Sequence, residues 1–124
     1  MPNTGEQSLN IIKPGRLKKR PEFLCVAQNG RKWVSDTVIV QALETNRHEI
    51  RFGFTATKKI GNAVTRNRAK RRMRAAVDYL MTVEKIKSAD IVLIARDTTP
   101  TCEWEDLIKN LKWCLKRLDL LDNF

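Results

Sequence analysis

The cations in the middle of the chain indicate a surface that binds a polyanion. Between Glu49 and Asp78 no acidic residue occurs. The same stretch carries nine lysines and arginines, namely Arg51, Lys58, Lys59, Arg66, Arg68, Lys70, Arg71, Arg72 and Arg74. Solvated charged surfaces usually mix both signs, so this stretch favours contact with phosphate groups. Arginine suits that contact because its guanidinium is planar and permanently charged.

Several of these cations share one predicted helix, where they repel each other. Arg66 and Lys70 lie four residues apart, as do Lys70 and Arg74. Each like-charge pair at this spacing costs roughly 0.2–0.5 kcal/mol before salt screening. Because a small domain is only marginally stable, this repulsion indicates that a bound anion neutralises the charges, with phosphate the first candidate.

Length and composition limit the class of protein. The chain has 124 residues, enough for one domain with a core and too few for two. Lysine plus arginine total 24 against 14 acidic residues, and the resulting formal charge of +10 makes nucleic acid the first partner to consider. Hydrophobic residues make up 42% of the chain, which excludes a wholly disordered basic protein.

The cysteines and the apolar runs indicate the cellular compartment in which the protein is expected. Cys25, Cys102 and Cys114 are an odd number at wide spacings, so neither a disulfide framework nor a zinc module is indicated. No apolar run reaches the length of a signal peptide or a membrane span. We therefore expect a soluble, cytoplasmic protein without a membrane partner. We also expect a flexible N-terminal segment over residues 1–15 and a single domain over residues 16–120.

The elements that hold the cations follow from apolar spacing. A helix is predicted within residues 16–28, with Pro21 in its first turn. A β-branched run at residues 37–40 and an alternation over residues 50–55 predict two strands, which together indicate a hairpin. The apolar run at residues 90–95 predicts a strand covered on both faces.

Two longer helices complete the predicted order of helix, two or three strands, helix, strand, helix. The first has an apolar stripe of Ala69, Met73, Ala76, Val77 and Leu80. The second has a stripe of Trp104, Leu107, Ile108, Leu111, Cys114, Leu115 and Leu118. Gly61 and Asn62 precede the basic helix and are suited to a turn with positive φ and to an N-cap. The pattern predicts an α+β domain.

Residues 58–71, KKIGNAVTRNRAKR, resemble the signature segment of the bacterial ribonuclease P protein component, in which an Arg-Asn-Arg motif opens a helix. Residues 17–23 are similar to the family's first helix and residues 90–96 to its last strand, so the resemblance covers about residues 16–118. It implies a single-layer, four-stranded mixed sheet packed with three helices in the order α-β-β-β-α-β-α. It also implies a left-handed βαβ crossover, which pattern analysis could not supply.

The resemblance implies a function as the protein subunit of ribonuclease P. In this family the protein binds the catalytic RNA and the 5′ leader of precursor tRNA, and the complex removes the leader by endonucleolytic hydrolysis. The catalytic centre is expected on the RNA, with Mg²⁺ held mainly by the catalytic RNA and the substrate. Neither DNA nor a membrane is expected as a partner.

The resemblance also implies two sets of site residues. The residues expected to bind the catalytic RNA are Lys58, Lys59, Arg66, Asn67, Arg68, Lys70, Arg71 and Arg74. The residues expected in the leader-binding cleft are Lys19, Phe23, Ala27, Val38, Val40 and Phe54. The chain departs from the family at Ala27 and Gln41, which stand where many members carry aromatic residues.

Other interpretations of these residues remain open. Asn67 could hydrogen-bond the neighbouring backbone instead of RNA, Lys58 and Lys59 could protect a strand end, and aromatic residues near strands are more often core than stacking platforms. His48 is expected in a surface turn. The acidic residues are scattered without a metal-binding pair, so the protein alone is not expected to cleave RNA. An alternative class is a ribosome-associated or chaperone-type RNA-binding protein without a cleavage role.

Overall fold

The computed structural model describes residues 15–121 as one mixed sheet with helices on both faces. In chain order the elements are β1 (Gly15–Arg16), α1 (Arg20–Asn29), β2 (Arg31–Val34), β3 (Val38–Glu44), β4 (Ile50–Thr55), a 3₁₀ turn (Lys58–Ile60), α2 (Ala63–Val83), β5 (Ala89–Ala95) and α3 (Trp104–Arg117). The α+β class and the three helices are confirmed. Pro21 lies in the first turn of α1, where its missing N–H costs little.

The sheet has five strands in the order β1-β4-β5-β3-β2, where four were expected. The additional strand is β1, in which Gly15 and Arg16 pair in parallel with Arg51 and Phe52 of β4. Two residues are too few to give a strand signal in the sequence. Gly15, which we had assigned to the flexible segment, therefore belongs to the sheet, while residues 1–14 of that segment lie outside the described range.

The predicted hairpin between the strands at residues 37–40 and 50–55 is wrong. β5 lies between β3 and β4, antiparallel to the first and parallel to the second. Six of its seven residues are buried, so its apolar run takes the centre of the sheet. The hairpin instead joins β2 and β3, and its turn is closed by Ser35, whose Oγ donates to the Val38 carbonyl at 2.6 Å.

The main core fills the space between one face of the sheet and helices α2 and α3. Strand residues such as Val38, Val40 and Leu93 are fully buried there. The predicted stripe of α2 is buried as expected, and so is the stripe of α3 apart from Trp104 and the half-buried Ile108. Trp104, at the first residue of α3, stays 40% exposed. Helix periodicity thus identified the faces that the two helices bury.

Helix α1 crosses the opposite face of the sheet and is held there by packing and by charge. Phe23 packs so closely on Gly53 of β4 that an added Cβ would lie 2.5 Å from its ring. Val26 is buried in a small cluster with Val92 of β5. Further along, Gly30 lies against Ala42 of β3, where an added Cβ would meet the Ala42 carbonyl oxygen at 2.4 Å. The helix therefore runs across the strands from β4 towards β3.

An ion network fastens the start of α1 to the sheet. Arg51 donates from Nε to Asp90 Oδ1 at 2.9 Å and from NH2 to Asp90 Oδ2 at 2.8 Å. Its NH1 donates to Glu22 Oε2 at 2.9 Å, and Arg47 also donates to Asp90. Burial is the largest single influence on the pKa of Asp90 and raises it, but the hydrogen bonds from Arg51 and Arg47 outweigh it, so the pKa lies below its usual value.

Candidate nucleic-acid interface

The basic helix is presented by a defined turn. Gly61 ends the 3₁₀ turn with φ 145°, a conformation that residues with a side chain rarely adopt. Asn62 then caps α2, because its side-chain oxygen accepts from the Thr65 amide at 2.9 Å. Both predictions for this turn are confirmed. The Arg-Asn-Arg segment consequently lies in the first two turns of a 21-residue helix.

Five of the predicted RNA-binding residues are exposed on the 3₁₀ turn and α2. They are Lys58, Lys59, Asn67, Arg68 and Arg71, each of them exposed, and we call them the α2 surface. Within residues 15–121 no carboxylate lies within 4 Å of any of its four cations, and the side chain of Asn67 has no hydrogen-bond partner there. The charges are thus fixed in space and not neutralised by this part of the chain, as an anion-binding surface requires.

Other cations of the same stretch hold the fold together. Arg51 is saturated by Asp90 and Glu22, so it does not belong to the α2 surface. Arg72 donates from NH1 to the Thr99 carbonyl at 2.8 Å and from NH2 to the Cys102 carbonyl at 2.5 Å, which ties α2 to the segment before α3. Arg66 donates to the Gly61 carbonyl at 2.9 Å and is half-buried. The sequence showed nine cations but not this division between them.

Arg74 and Phe54 lie at the sheet edge beside the α2 surface. The guanidinium carbon of Arg74 is 5.4 Å from the centroid of the Phe54 ring, and that of Arg16 is 5.8 Å away. Both distances are in the range of cation–π contacts. Phe54 is half-buried and packs against the main core, so only part of its side chain is available to a ligand.

A groove runs between α1 and the sheet, next to the α2 surface. Phe23 and Leu24 form its α1 side and Phe54, Thr55 and Ala56 its sheet side. Its cations are Lys18, Arg20 and Lys70. We call this the α1 groove. It combines an aromatic wall with cations from two elements, which is the composition of sites for single-stranded nucleic acid.

Two residues predicted for the leader cleft are misplaced. Val38 and Val40 are 0% exposed in the core under α2 and α3, on the sheet face opposite α1. Because side chains alternate along a strand, their neighbours Ile39 and Gln41 are the ones on the α1 side. The error is a shift of one residue, and the polar Gln41 between the apolar Val40 and Ala42 is the sequence signal that could have corrected it.

The remaining cleft residues lie in or beside the α1 groove. Phe23 and Phe54 line it. Ala27 is exposed one helical turn after Phe23, and Lys19 is the exposed N-cap residue of α1 between the two groove residues Lys18 and Arg20. The sequence analysis missed five groove residues, namely Lys18, Arg20, Leu24, Thr55 and Ala56. Leu24 is 43% exposed, and the sequence gives no signal for the exposure of a leucine.

The titratable side chains outside the two surfaces are scattered over the described residues. Within residues 15–121 no three His, Cys, Asp or Glu side chains are grouped so as to hold a metal ion. His48 lies exposed in a turn with φ 59°. Burial raises the pKa of the Cys102 and Cys114 thiols, which makes them poor nucleophiles. Over the same range no helix is both long and apolar enough to cross a bilayer.

The fold and the two surfaces together define an α+β RNA-binding domain, with a basic helix beside an aromatic groove. A family model described as Ribonuclease P matches residues 12–119. The chain therefore belongs to the ribonuclease P protein family, whose members are the protein components of the ribonucleoprotein endoribonuclease that processes the 5′ end of tRNA.

Relatives and solved structures agree with the family. The chain is 46% identical over 103 residues to the ribonuclease P protein component of Gluconacetobacter diazotrophicus, covering 82% of this chain and 89% of the relative. It is 40% identical over 111 residues to that of Paramagnetospirillum magneticum, covering 86% and 84%. The RNase P protein of Staphylococcus aureus superposes with a TM-score of 0.76 at 26% identity, covering 89% of this chain and 100% of that one. For the protein of Thermotoga maritima the TM-score is 0.72, at 26% identity and coverages of 82% and 96%.

Proposed function

We propose that this chain binds two RNAs at once: the catalytic RNA of ribonuclease P on the α2 surface and the 5′ leader of precursor tRNA in the α1 groove. The observation that carries the proposal is the adjacency of the two sites. Lys70 of α2 lines the α1 groove, three residues after Asn67 of the α2 surface. A single helix would therefore contact both RNAs and fix their relative position.

The α2 surface supports binding to a folded RNA. Its four cations are exposed, lie on a helix and a tight turn, and have no carboxylate partner within residues 15–121. Side chains on rigid elements can match the fixed phosphate positions of a folded RNA without a large entropic cost. The half-buried Arg66, Lys70 and Arg74 extend the charge along the same helix.

The α1 groove supports binding to a single strand. The half-buried ring of Phe23 offers a stacking surface, and Lys18, Arg20 and Lys70 can contact backbone phosphates. Because every base has a π-face, stacking tolerates variation in sequence, as a leader that differs between tRNA precursors requires.

Chemistry is assigned to the RNA partner. We expect Mg²⁺ to be held by the catalytic RNA and the substrate, since no grouping of ligand residues occurs within residues 15–121. The contribution of the protein is then to hold the leader and catalytic RNA together, which matters most when Mg²⁺ is too scarce to screen RNA–RNA repulsion.

Reconstitution tests this function. Precursor tRNA is incubated at low Mg²⁺ with the protein, with the catalytic RNA, and with both. We expect cleavage at the leader junction only with both, and tighter binding of leader-bearing than of mature tRNA. Cleavage by the protein without the catalytic RNA would contradict the assignment. If the protein stimulated the activity of unrelated catalytic RNAs equally, a general RNA chaperone would be favoured.

A further inference from the structure

Arg72 connects the basic helix to a segment that is distant in the sequence. Its NH1 donates to the Thr99 carbonyl at 2.8 Å and to the Cys102 sulfur at 3.7 Å, and its NH2 donates to the Cys102 carbonyl at 2.5 Å. The side chain is half-buried at this junction, just before the start of α3. Within residues 15–121 no other side chain of α2 hydrogen-bonds to anything beyond the helix and the turn before it.

The segment that receives Arg72 is itself fixed to the sheet and to α3. Thr99 is 0% exposed, and its Oγ1 donates to the carbonyl of Thr37, at the start of β3, at 2.6 Å. From α3, Asn110 donates from Nδ2 to the Thr37 hydroxyl at 2.9 Å. Arg72 therefore joins α2 to a buried polar network that does not move independently of the core.

The remaining packing of α2 leaves its rotation weakly determined. The helix packs on the core mainly through apolar side chains, namely Ala69, Met73, Ala76, Val77 and Leu80. Apolar contact is non-directional, whereas a hydrogen bond weakens steeply when its geometry changes. A rotation of the helix by about 20° would move side-chain ends at a radius of about 6 Å by about 2 Å. Such a displacement is enough to break a hydrogen bond to a phosphate.

The cations of the α2 surface share the turns that Arg72 holds. Arg71 directly precedes Arg72, and Arg68 lies one helical turn before it. The orientation that Arg72 imposes on the helix is therefore passed on to both exposed guanidinium groups. Arginine is suited to this task because its planar fork can donate to two carbonyls at once, which a lysine ammonium does not reproduce.

We propose that Arg72 is a positioning residue for the α2 surface. By donating to the carbonyls of Thr99 and Cys102 it sets the rotation of α2, so that Arg68 and Arg71 meet phosphates of the catalytic RNA, and it does not contact the RNA itself. The inference rests on the proposed function, because it presupposes that the α2 surface binds the catalytic RNA. It requires that the loss of Arg72 lowers affinity without changing the number of phosphates that the protein neutralises.

The salt dependence of RNA binding provides the test. Binding of the full-length Arg72→Met protein to the catalytic RNA is measured over a series of salt concentrations, at a temperature at which circular dichroism shows the variant to be folded. We expect affinity to fall by about 3-fold or more at every salt concentration, with the wild-type slope of log K against log salt. Direct phosphate contact by Arg72 would instead flatten the slope by about 0.7–0.9 and overturn the proposal. Unchanged affinity would overturn it as well.

A second variant separates the hydrogen bonds of Arg72 from its charge. Arg72→Lys keeps the charge but not the paired hydrogen bonds, and it carries the same test if Arg72→Met does not fold. We expect it to bind the RNA more weakly than wild type, and wild-type affinity would overturn the proposal.

Lys109→Met is the matched control for the loss of one cation. Lys109 is exposed on α3 and has no carboxylate within ion-pair distance in residues 15–121. Its removal should leave the affinity unchanged. A loss equal to that of Arg72→Met would show that any missing cation weakens binding, which would contradict a positioning role.

A double-mutant cycle tests whether Arg72 acts through its two neighbours. Arg72→Met is added to a protein that already carries Arg68→Ala and Arg71→Ala, and we expect a clearly smaller loss of affinity than in the wild-type background. Equal losses in the two backgrounds would overturn the proposal. Failure of the proposed function is distinguishable, because Arg68→Ala with Arg71→Ala would then leave the RNA affinity of the otherwise wild-type protein unchanged.

Discussion

The α2 surface and the ion network beneath α1 use arginine in opposite ways. On the α2 surface, Arg68 and Arg71 are exposed and have no carboxylate partner within residues 15–121. Beneath α1, Arg51 is largely buried and paired with both Asp90 and Glu22. A free guanidinium attracts a polyanion over a distance, whereas a saturated one fixes a helix in place. RNA binding on the α2 surface should therefore depend strongly on salt, while the ion network contributes to the stability of the fold and to the position of α1.

The largest effect that separates the two regions should come from removing Arg51. Arg51→Met leaves the buried carboxylate of Asp90 with only Arg47 and should destabilise the fold by about 3 kcal/mol. Denaturant unfolding measures this change. Arg68→Met is the control and should be nearly neutral, because Arg68 is exposed and unpaired among the described residues. Equal stabilities for the two variants would show that the ion network does not anchor α1.

The pH dependence of the same variant sharpens the comparison. The pKa of Asp90 is lowered in the folded state, so the stability from its ion pairs is complete above its unfolded pKa of about 4 and is lost as pH falls through the lower folded value. The difference in unfolding free energy between wild type and Arg51→Met should therefore be constant near neutral pH and shrink in acid. A difference that stays constant into strong acid would remove Asp90 from the explanation.

Phe23→Ala tests the α1 groove. We expect a loss of roughly 1–3 kcal/mol in binding leader-bearing tRNA to the holoenzyme, with mature tRNA almost unaffected, because the proposed function assigns stacking on this ring to the leader alone. Phe23 also packs on Gly53, so Phe23→Leu is the control that retains apolar contact but not the aromatic face. If Phe23→Leu binds the leader as tightly as wild type, Phe23 contributes to leader binding through apolar packing and not through stacking.

Arg68→Ala combined with Arg71→Ala tests the α2 surface. If both residues neutralise phosphates, the slope of log K against log salt for binding the catalytic RNA should flatten by about 1.4–1.8. The loss in binding the catalytic RNA should be the same whether or not a leader-bearing substrate is present, since the proposed function assigns these two arginines to the catalytic RNA. We choose this pair over Arg66 because Arg66 also donates to the Gly61 carbonyl. An unchanged slope would show that the two arginines do not bind phosphate.

The smallest expected effect concerns the turn that presents the α2 surface. Asn62→Ala removes the acceptor for the Thr65 amide and should cost about 1 kcal/mol of stability. Thermal unfolding measures this cost, and Asn62→Asp, which retains a capping oxygen, should restore most of it. Leader binding in the α1 groove should not change. A loss of leader binding in Asn62→Ala would mean that the two regions are coupled more tightly than the packing indicates.

Much of this molecule could be predicted from the sequence because the signals are local. The apolar stripes of α2 and α3, the Asn62 cap and the exposure of Arg68 and Arg71 all follow from residues within a few turns of one another. The resemblance carried by residues 58–71 added the family. Errors arose where distant segments compete, as for the pairing of β3 and β4 and for the face on which Val38 and Val40 lie.

The sequence by itself determined that the basic helix carries a positive charge that its sequence neighbours do not neutralise, because no acidic residue lies between Glu49 and Asp78. Only the tertiary structure decided which cations remain available. Asp90, which is distant in sequence, accepts hydrogen bonds from Arg51. The carbonyls of Thr99 and Cys102 accept hydrogen bonds from Arg72. Charge is a property of the residue alone, whereas its neutralisation depends on which partners the fold brings within hydrogen-bond distance.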